Sequence, residues 1–490
     1  MQRMAPIQPG GVVVLRNDGA AETACNAVRI RCLHALGEIA PLRPKINALN
    51  LASARPDPFS TFEFYENLLR RGSSLSGGTR SRVWFLAAFI ERELIGYLAL
   101  EEVTDRVLWR PIKRLGFLVA HDADRPHVVA RAENIRVVTE MFYEYLRDHR
   151  REWDLLELQQ QDSASTLYPP PPGVNLTGCW VRYWPTLDNG TIRVRWPTLQ
   201  EYFDVLAPKF RANFLRQTRN LLASGATQLL TSSDPTSTPA LLDLYCSIEK
   251  RSWKSETELT IGGTPERLDY FRALLDARQP MQAVIQVLVL DGVPVAGLIS
   301  GAFAGPAHKG LYALHIVFDQ DLSSAGPGSA ILMMGMRYAI DGHFAFFNLL
   351  SGSGYYKTRW LADMTATRCA QIYRVGSMVF WRRLLGDAQR WLVARAPLAV
   401  RRLLLTAHGH DVDDLRHDQA GPERERRTPP VTAAERATFR RLIAEARRGN
   451  CECLSTAELM AAMPGVASHL PEPNRTPRYA AISARPAGAA

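Results

Sequence analysis

Apolar and polar positions along the chain follow one pattern written twice. Residues 64–69 read Phe-Tyr-Glu-Asn-Leu-Leu and residues 270–275 read Tyr-Phe-Arg-Ala-Leu-Leu. Each is an aromatic pair followed by a leucine pair at i+4, the spacing of a helix that buries one face. Each is followed by two strand-like runs around a tight polar turn. Val83–Ile90 and Leu94–Leu100 flank Glu91-Arg92-Glu93, while Val284–Leu290 and Val295–Ile299 flank Asp291-Gly292-Val293-Pro294. Asp-Gly between β-rich runs is a strong hairpin signal, because both residues tolerate the positive φ that a twisted hairpin demands.

A further helix follows in each stretch. Ile135, Val138, Met141, Phe142, Tyr145 and Leu146 make one apolar stripe; Ile331, Leu332, Gly335, Tyr338 and Ala339 make the other. Each leads into a short apolar strand, Trp153–Leu156 and Phe347–Leu350. Four elements in the same order, offset by about 200 residues throughout, predict a duplicated α/β domain. The expected domains are 56–168 and 196–375. Residues 169–195 join them, with Pro169-Pro170-Pro171-Pro172-Gly173 as a stiff extended linker. Residues 1–55 form an N-terminal extension. Residues 376–490 form a C-terminal one, helical over 376–407 with a break at Pro397, and flexible over 417–430 and 464–490. That tail carries no element of the repeat, so its removal from residue 412 onward is expected to leave the core folded.

Where the copies differ, chemistry is suggested. Before its last helix the second copy reads Ser324-Ala325-Gly326-Pro327-Gly328-Ser329-Ala330. A glycine turn opening into a helix aims backbone N–H groups outward at the positive end of the dipole, which suits a pyrophosphate. The matching stretch of the first copy, Asp122-Ala123-Asp124-Arg125-Pro126, has no glycine and carries two acids. Gly326, Gly328, Ser329 and Ala330 are therefore the candidate phosphate contacts, and only the second copy is expected to hold a diphosphate. Past the second copy's strand, Ser351-Gly352-Ser353-Gly354 leads to Tyr355-Tyr356-Lys357. Tyr356 could protonate a leaving thiolate or fix the acyl group, and Lys357 could stabilise an oxyanion or a phosphate; equally, the string could be a surface turn. Arg211 and Arg216 lie on a basic helical stripe within 210–222, and Trp253 sits among charges at 249–254. His315, inside an apolar strand, reads better as a satisfied core histidine than as a base.

The 490 residues, 46% apolar and 22% charged, are ordinary globular material of a size for more than one domain. No apolar run is long enough for a membrane span, and the N-terminus lacks the layout of a secretory signal. Seven scattered cysteines make no disulfide framework, and Cys451-Glu452-Cys453 is too close for a zinc pair, so no metal and a cytoplasmic location are expected. The net charge is +10, with more than half of the excess beyond residue 375 on what reads as solvated helix faces. Nucleic acid is not the expected partner.

These strings, in this order, resemble the CelD/BcsL family of GNAT-fold acetyltransferases, itself similar to the FemABX aminoacyl and peptidyl transferases. The residues that carry the resemblance are Phe-Arg-x-Asn-x-x-Arg at 210–216, Lys-Arg-x-Trp at 250–253, Asp-Gly-x-Pro-Val-Ala at 291–296, Pro-Gly at 327–328 and Gly-x-x-x-Tyr-Lys-x-x-Trp at 352–360. The likeness is specific over 195–375 and looser over 58–168. It implies two tandem GNAT-like (acyl-CoA N-acyltransferase) domains. It also implies N-acyl transfer from acetyl-CoA or another acyl-CoA to an amine, either a small molecule or a glycan or polysaccharide precursor. Asn348 stands where family members usually carry Asp, and it joins Arg211, Arg216 and Trp253 as a candidate substrate contact. Two alternatives remain: a FemABX-like transferase drawing on aminoacyl-tRNA, and a non-catalytic factor in polysaccharide assembly.

Overall fold

The computed structural model describes residues 28–71, 79–107, 109–120, 123–256, 260–276, 279–305, 308–352, 354–395 and 431–466. Residues 1–27, 417–430 and 467–490, for which an extension and flexible ends are expected, lie outside the described residues.

The two predicted hairpins form, and their turns show why. Glu91 adopts φ 51°, and Asp291 and Gly292 adopt φ 48° and 74°, the positive values of turns that match strand twist. In the first half, β1 (Val28–Leu33), α1 (Leu36–Ile39), α2 (Arg43–Leu51) and α3 (Phe62–Arg71) precede the hairpin of β2 (Thr79–Ile90) and β3 (Glu93–Val107). Next come β4 (Arg110–Phe117), β5 (Val129–Ala130), α4 (Ile135–Asp148) and β6 (Leu155–Gln161). A connecting stretch holds β7 (Cys179–Pro185) and β8 (Asn189–Arg193).

The second half contains α5 (Leu199–Asp204), α6 (Pro208–Ala223), β9 (Thr227–Ser232) and α7 (Thr238–Glu249). Then follow α8 (Pro265–Leu274), β10 (Met281–Leu290), β11 (Val293–Gly305), β12 (His308–Phe318), α9 (Pro327–Asp341) and β13 (Phe346–Ser351). It continues through α10 (Gly354–Arg359), β14 (Asp363–Thr365), β15 (Arg368–Arg374) and α11 (Met378–Arg395). Last are α12 (Ala433–Arg448), β16 (Glu452–Leu454) and α13 (Thr456–Ala462). The start of α8 is fixed locally: Thr264 caps the Arg267 N–H, and Pro265 supplies the first helical residue.

Each half is built around one mixed sheet, and the fold is α/β in two similar halves. The first sheet runs β1-β2-β3-β4-β6-β15-β7, with β5 on β3; the second runs β14-β8-β13-β12-β11-β10-β9-β16. The strand order crosses the boundaries expected from sequence. β15 lies late in the second half yet pairs with β6 and β7 of the first sheet, while β8 from the connecting stretch pairs with β13 and β14. The repeat helices α3 and α8 pack on each other, and Asn67 Nδ2 donates to Tyr270 O across the junction at 3.1 Å. One apolar core, from Leu33 through Phe64, Tyr97, Leu298 and Phe347 to Val466, serves both halves; a second, around Trp84, Phe142 and Trp153, lies beneath α4.

The C-terminal segment corrects the expectation that it is dispensable. β16 pairs with β9, and a box of Thr432 and Glu435 caps α12. Phe439, Leu442, Ile443, Leu459 and Val466 are buried in the shared core. At about 2 kcal/mol per large apolar side chain, five such groups are worth on the order of 10 kcal/mol, comparable with the whole stability of a domain. The repeat comparison missed them because they have no counterpart in the first copy. Among the described residues, no helix is long and apolar enough to cross a membrane.

Candidate functional site

The two strands at the centre of the second sheet part company. β12 and β13 run parallel and pair only over Gly310–Tyr312 with Phe346–Asn348. Beyond that point β12 continues to Phe318 against β11 alone, and β13 reaches Ser351 against β8 alone. Both carry an irregularity at the parting. Register slips on β12 between Ala313 and His315, and on β13 between Asn348 and Ser351, where Leu350 takes φ 57°. Asn348 holds that bulge, its Oδ1 accepting the Leu350 N–H at 2.8 Å. A fork of this kind leaves backbone donors and acceptors facing a gap instead of each other.

The connection above the fork is held from both sides. The carboxylate of Asp319 at the end of β12 accepts the Asp321 N–H at 3.1 Å and pairs with Arg251 Nε at 2.8 Å, while Gln320 N–H donates to Arg251 O at 3.0 Å. Gly326 then adopts the left-handed conformation (φ 66°, ψ 37°) and opens α9. Of the predicted phosphate contacts, Ser329 and Ala330 both donate their N–H to Gly326 O at 3.0 Å, and Pro327 has none to give. Gly328 is left as the first-turn donor. Gly328 also has a packing reason to be glycine, since a Cβ there would come within 2.7 Å of the Phe318 ring. A Gly328→Asp change would therefore disturb packing as well as any phosphate site.

The structure separates the predicted substrate contacts. Arg216 Nη2 donates to Asn213 Oδ1 at 2.8 Å, Asn213 to Gln217 at 3.2 Å, and Gln217 Nε2 to Ser324 O at 3.3 Å, so this face of α6 leads to the turn before α9. Arg211 is turned to Asp204, 3.5 Å away, on another face of the helix. Trp253 is half exposed, two residues beyond the Arg251 that braces the same turn. Lys357 lies inside the protein rather than at a surface turn. Its Nζ donates to Leu350 O at 2.5 Å, and burial pushes its ammonium down to about 8 despite Asp124 and Asp188. It thus braces the bulged end of β13. Tyr356 beside it is 43% exposed. His315 is satisfied internally, with Nδ1 at 2.7 Å from Tyr245 OH and Nε2 at 3.0 Å from Lys254 Nζ.

Sequence reasoning missed the groups that the first half brings to the fork. Asn348 Nδ2 donates to Asp124 Oδ2 at 2.9 Å, and Asn189 Nδ2 donates to Asp124 Oδ1 at 2.7 Å. Asp124 is read from sequence only as a charge that repels phosphate; here it is buried and receives both amides. Next to it, a cavity of about 270 Å³ lies between the halves, lined by Arg55, Asp57, Asp124, His308, Tyr312 and Phe346 among others. Burial, aided by the nearby Asp124 charge, pushes the Asp57 carboxyl up to about 6. No local motif marks Asp57 or Asp124, because their meaning depends on a contact between halves.

The first half has its own fork, where β4 and β6 pair only over Arg114–Gly116 with Leu155–Glu157. Its lining includes Glu101, Glu157 and Arg114, and α4 opens at Asn134 without a glycine turn. The two forks share a backbone plan and differ in charge.

Residues 208–358 match the acetyltransferase (GNAT) domain family. The chain carries a GNAT acyltransferase domain. That GNAT domain spans α6 through most of α10, and so holds Arg216, the Gly326 turn, the β12–β13 fork and Lys357. The protein is an acyltransferase. Solved structures similar to the chain include FemX (10% identity, TM-score 0.45, covering 67% of this chain and 95% of that one). Others are a tandem GNAT protein from the clavulanic acid biosynthesis pathway (13%, 0.39, 71% and 99%) and Saccharomyces cerevisiae N-myristoyltransferase with bound myristoyl-CoA (11%, 0.36, 76% and 89%). No curated protein matches the chain in sequence.

Proposed function

We propose that the protein transfers an acyl group from an acyl-CoA to a primary amine at the fork between β12 and β13. One observation carries this reading: the GNAT-matched fork has a glycine turn at its mouth, with the buried carboxylates Asp124 and Asp57 on the neighbouring half. The residues fit such a donor. The Gly328 amide and the α9 dipole suit a pyrophosphate, Arg216 adds a cation nearby, and the unpaired strand edges suit an extended amide-bearing arm. The thioester would supply the acyl group.

The remaining chemistry belongs to side chains. An amine must lose its proton before it can attack, and Asp57, with a carboxyl near 6, can accept one at neutral pH. Asp124 orients Asn348, which fixes the bulge of β13. Lys357 braces the same bulge from the other side through Leu350 O. Tyr356 is the hydroxyl available to protonate the leaving thiolate. The carboxylates in the cavity suit a cationic acceptor, and an amino sugar or amine-bearing glycan precursor, as the CelD/BcsL resemblance implies, is the acceptor class proposed.

Titration calorimetry with acetyl-CoA and with aminoacyl-tRNA tests the donor. Binding of acetyl-CoA at micromolar strength, followed by mass-spectrometric detection of acetylated amino sugars, supports the proposal. Binding of the charged tRNA alone would replace it with the aminoacyl transfer reading, and binding of neither would leave an assembly factor.

A further inference from the structure

The wall that the first half gives to the cavity between the halves sets each acid beside a base. Arg55 and Asp57 stand two residues apart before α3, Asp124 and Arg125 are adjacent between β4 and β5, and all four line the cavity. Arg55 turns away from Asp57: its Nη1 donates to Asp162 Oδ2 at 3.2 Å, and Arg125 Nη1 reaches the same oxygen at 3.3 Å. One buried carboxylate oxygen thus holds two guanidiniums side by side.

Further contacts fix this pairing. Arg125 takes φ 44°, a left-handed conformation unfavourable for a residue with a Cβ, and Gln160 Oε1 holds it there by accepting the Arg125 N–H at 3.0 Å. The His127 ring spans the two segments, with Nε2 3.1 Å from Arg55 O and Nδ1 3.2 Å from Arg125 O. Among the described residues, the pair's other side-chain bond is Arg125 Nε to Asp124 Oδ2 at 3.0 Å. Most of their N–H donors are therefore unspent on the protein, although the two side chains are only 28% and 19% exposed. Guanidiniums gathered in a cavity with donors to spare suit an oxyanion, which they bind through paired, charge-assisted hydrogen bonds.

We propose that Arg55 and Arg125 form an anion subsite, so that the acyl acceptor is an amine that also carries a phosphate or a carboxylate. This rests on acyl transfer at the β12–β13 fork, and it narrows the acceptor from amino sugars in general to acidic ones. Asp124 reaches the fork through Asn348, so the ammonium belongs beside Asp124 and Asp57 and the acidic group against the two arginines. A ligand of one charge alone leaves either the acids or the arginines unmatched.

The test is calorimetry of the full chain with glucosamine, glucosamine 6-phosphate, glucosaminuronic acid and N-acetylglucosamine 6-phosphate, each with and without excess CoA. One of the two acidic amines is expected to bind tighter than glucosamine by about tenfold or more, and the tighter one identifies the group as phosphate or carboxylate. N-Acetylglucosamine 6-phosphate, which lacks the ammonium, should bind more weakly than glucosamine 6-phosphate by a similar factor. Arg55→Gln and Arg125→Gln should each abolish the preference over glucosamine, and Arg55→Lys should keep part of it. Arg440→Gln, on the outer face of α12, should leave it intact. Acidic amines that bind no tighter than glucosamine, a preference that survives both Gln variants, or one that Arg440→Gln removes equally would each overturn the subsite. These titrations need no acetyl-CoA, so failure of the subsite is distinguished from failure of the acyl-transfer reading, which the acetyl-CoA titration decides.

Discussion

Asn348, at the fork of the second half, donates its side-chain amide to the buried carboxylate of Asp124 from the first half at 2.9 Å. The pair ties the bulge of β13 to the connection between β4 and β5, so the geometry of the fork depends on both halves. Asn348→Asp would set two carboxylates in contact away from water and is expected to cost on the order of 3 kcal/mol at pH 7.5. Adding Asp124→Asn restores one donor and one acceptor and should recover most of that loss. Urea unfolding of the wild type, both single variants and the double variant gives the coupling directly. A coupling below about 0.5 kcal/mol would show that the two side chains do not act as a pair.

Arg216 and Arg211 share a helix but not a direction, which gives an internally controlled experiment. Arg216→Glu should weaken CoA binding at least tenfold, about 1.4 kcal/mol, because its face leads to the turn before α9. Arg211→Glu, on the Asp204 side, should change it less than threefold. Calorimetry with CoA decides, and equal losses from both would mean that general charge, not position, attracts the donor.

The repeat was legible because it rests on local periodicity: aromatic and leucine pairs at helical spacing, and Asp-Gly between β-rich runs, mean the same thing wherever they stand. The Gly326 turn was legible for a similar reason, since a glycine-to-helix junction has a local electrostatic consequence. Asp57 and Asp124 were not, because a buried acid looks the same in sequence as a solvated one. Lys357 was found but its setting was not, since a Gly/Ser turn carries no sign of which neighbouring carbonyl a lysine will reach. Strand exchange was hidden for a further reason. Strand pairing over two hundred residues leaves no periodic trace, and β15 in isolation reads like any half-buried strand.

Asp57 provides a pH test with a definite sign. Its carboxyl is raised to about 6 in the folded chain from an ordinary 3.8, so the stability it confers is fully present below about pH 4 and is lost as pH rises through 6. The nearby His127 is held down to about 3 by burial and stays neutral in the folded protein across that window. Asp57→Asn removes the titration while retaining an oxygen for the Phe59 N–H. Relative to wild type, the variant should gain on the order of 3 kcal/mol between pH 4 and pH 7. Parallel stability-versus-pH curves would show that the Asp57 carboxyl is solvated.

Phe439 tests the weight of the C-terminal segment. It lies 4% exposed in the shared core, on α12 against α7. Phe439→Ala should cost about 3–5 kcal/mol, as for any large buried aromatic, whereas Arg440→Ala on the outer face should fall within ±0.5 kcal/mol. Thermal unfolding of the two variants is sufficient. Equal melting temperatures would mean that the segment sits on the core without contributing to it.

Exchange of β15 into the first sheet also sets a timetable. β6 ends at Gln161, and the strand that covers its open edge begins at Arg368, so a nascent first half leaves the ribosome with a sheet it cannot finish. At roughly 5–20 residues per second, the wait is on the order of ten to forty seconds. Throughout that interval the β6 edge is a template for any other extended chain nearby. Slow synthesis or a stall between the two halves would therefore be felt as aggregation of incomplete chains, even where the finished protein is stable.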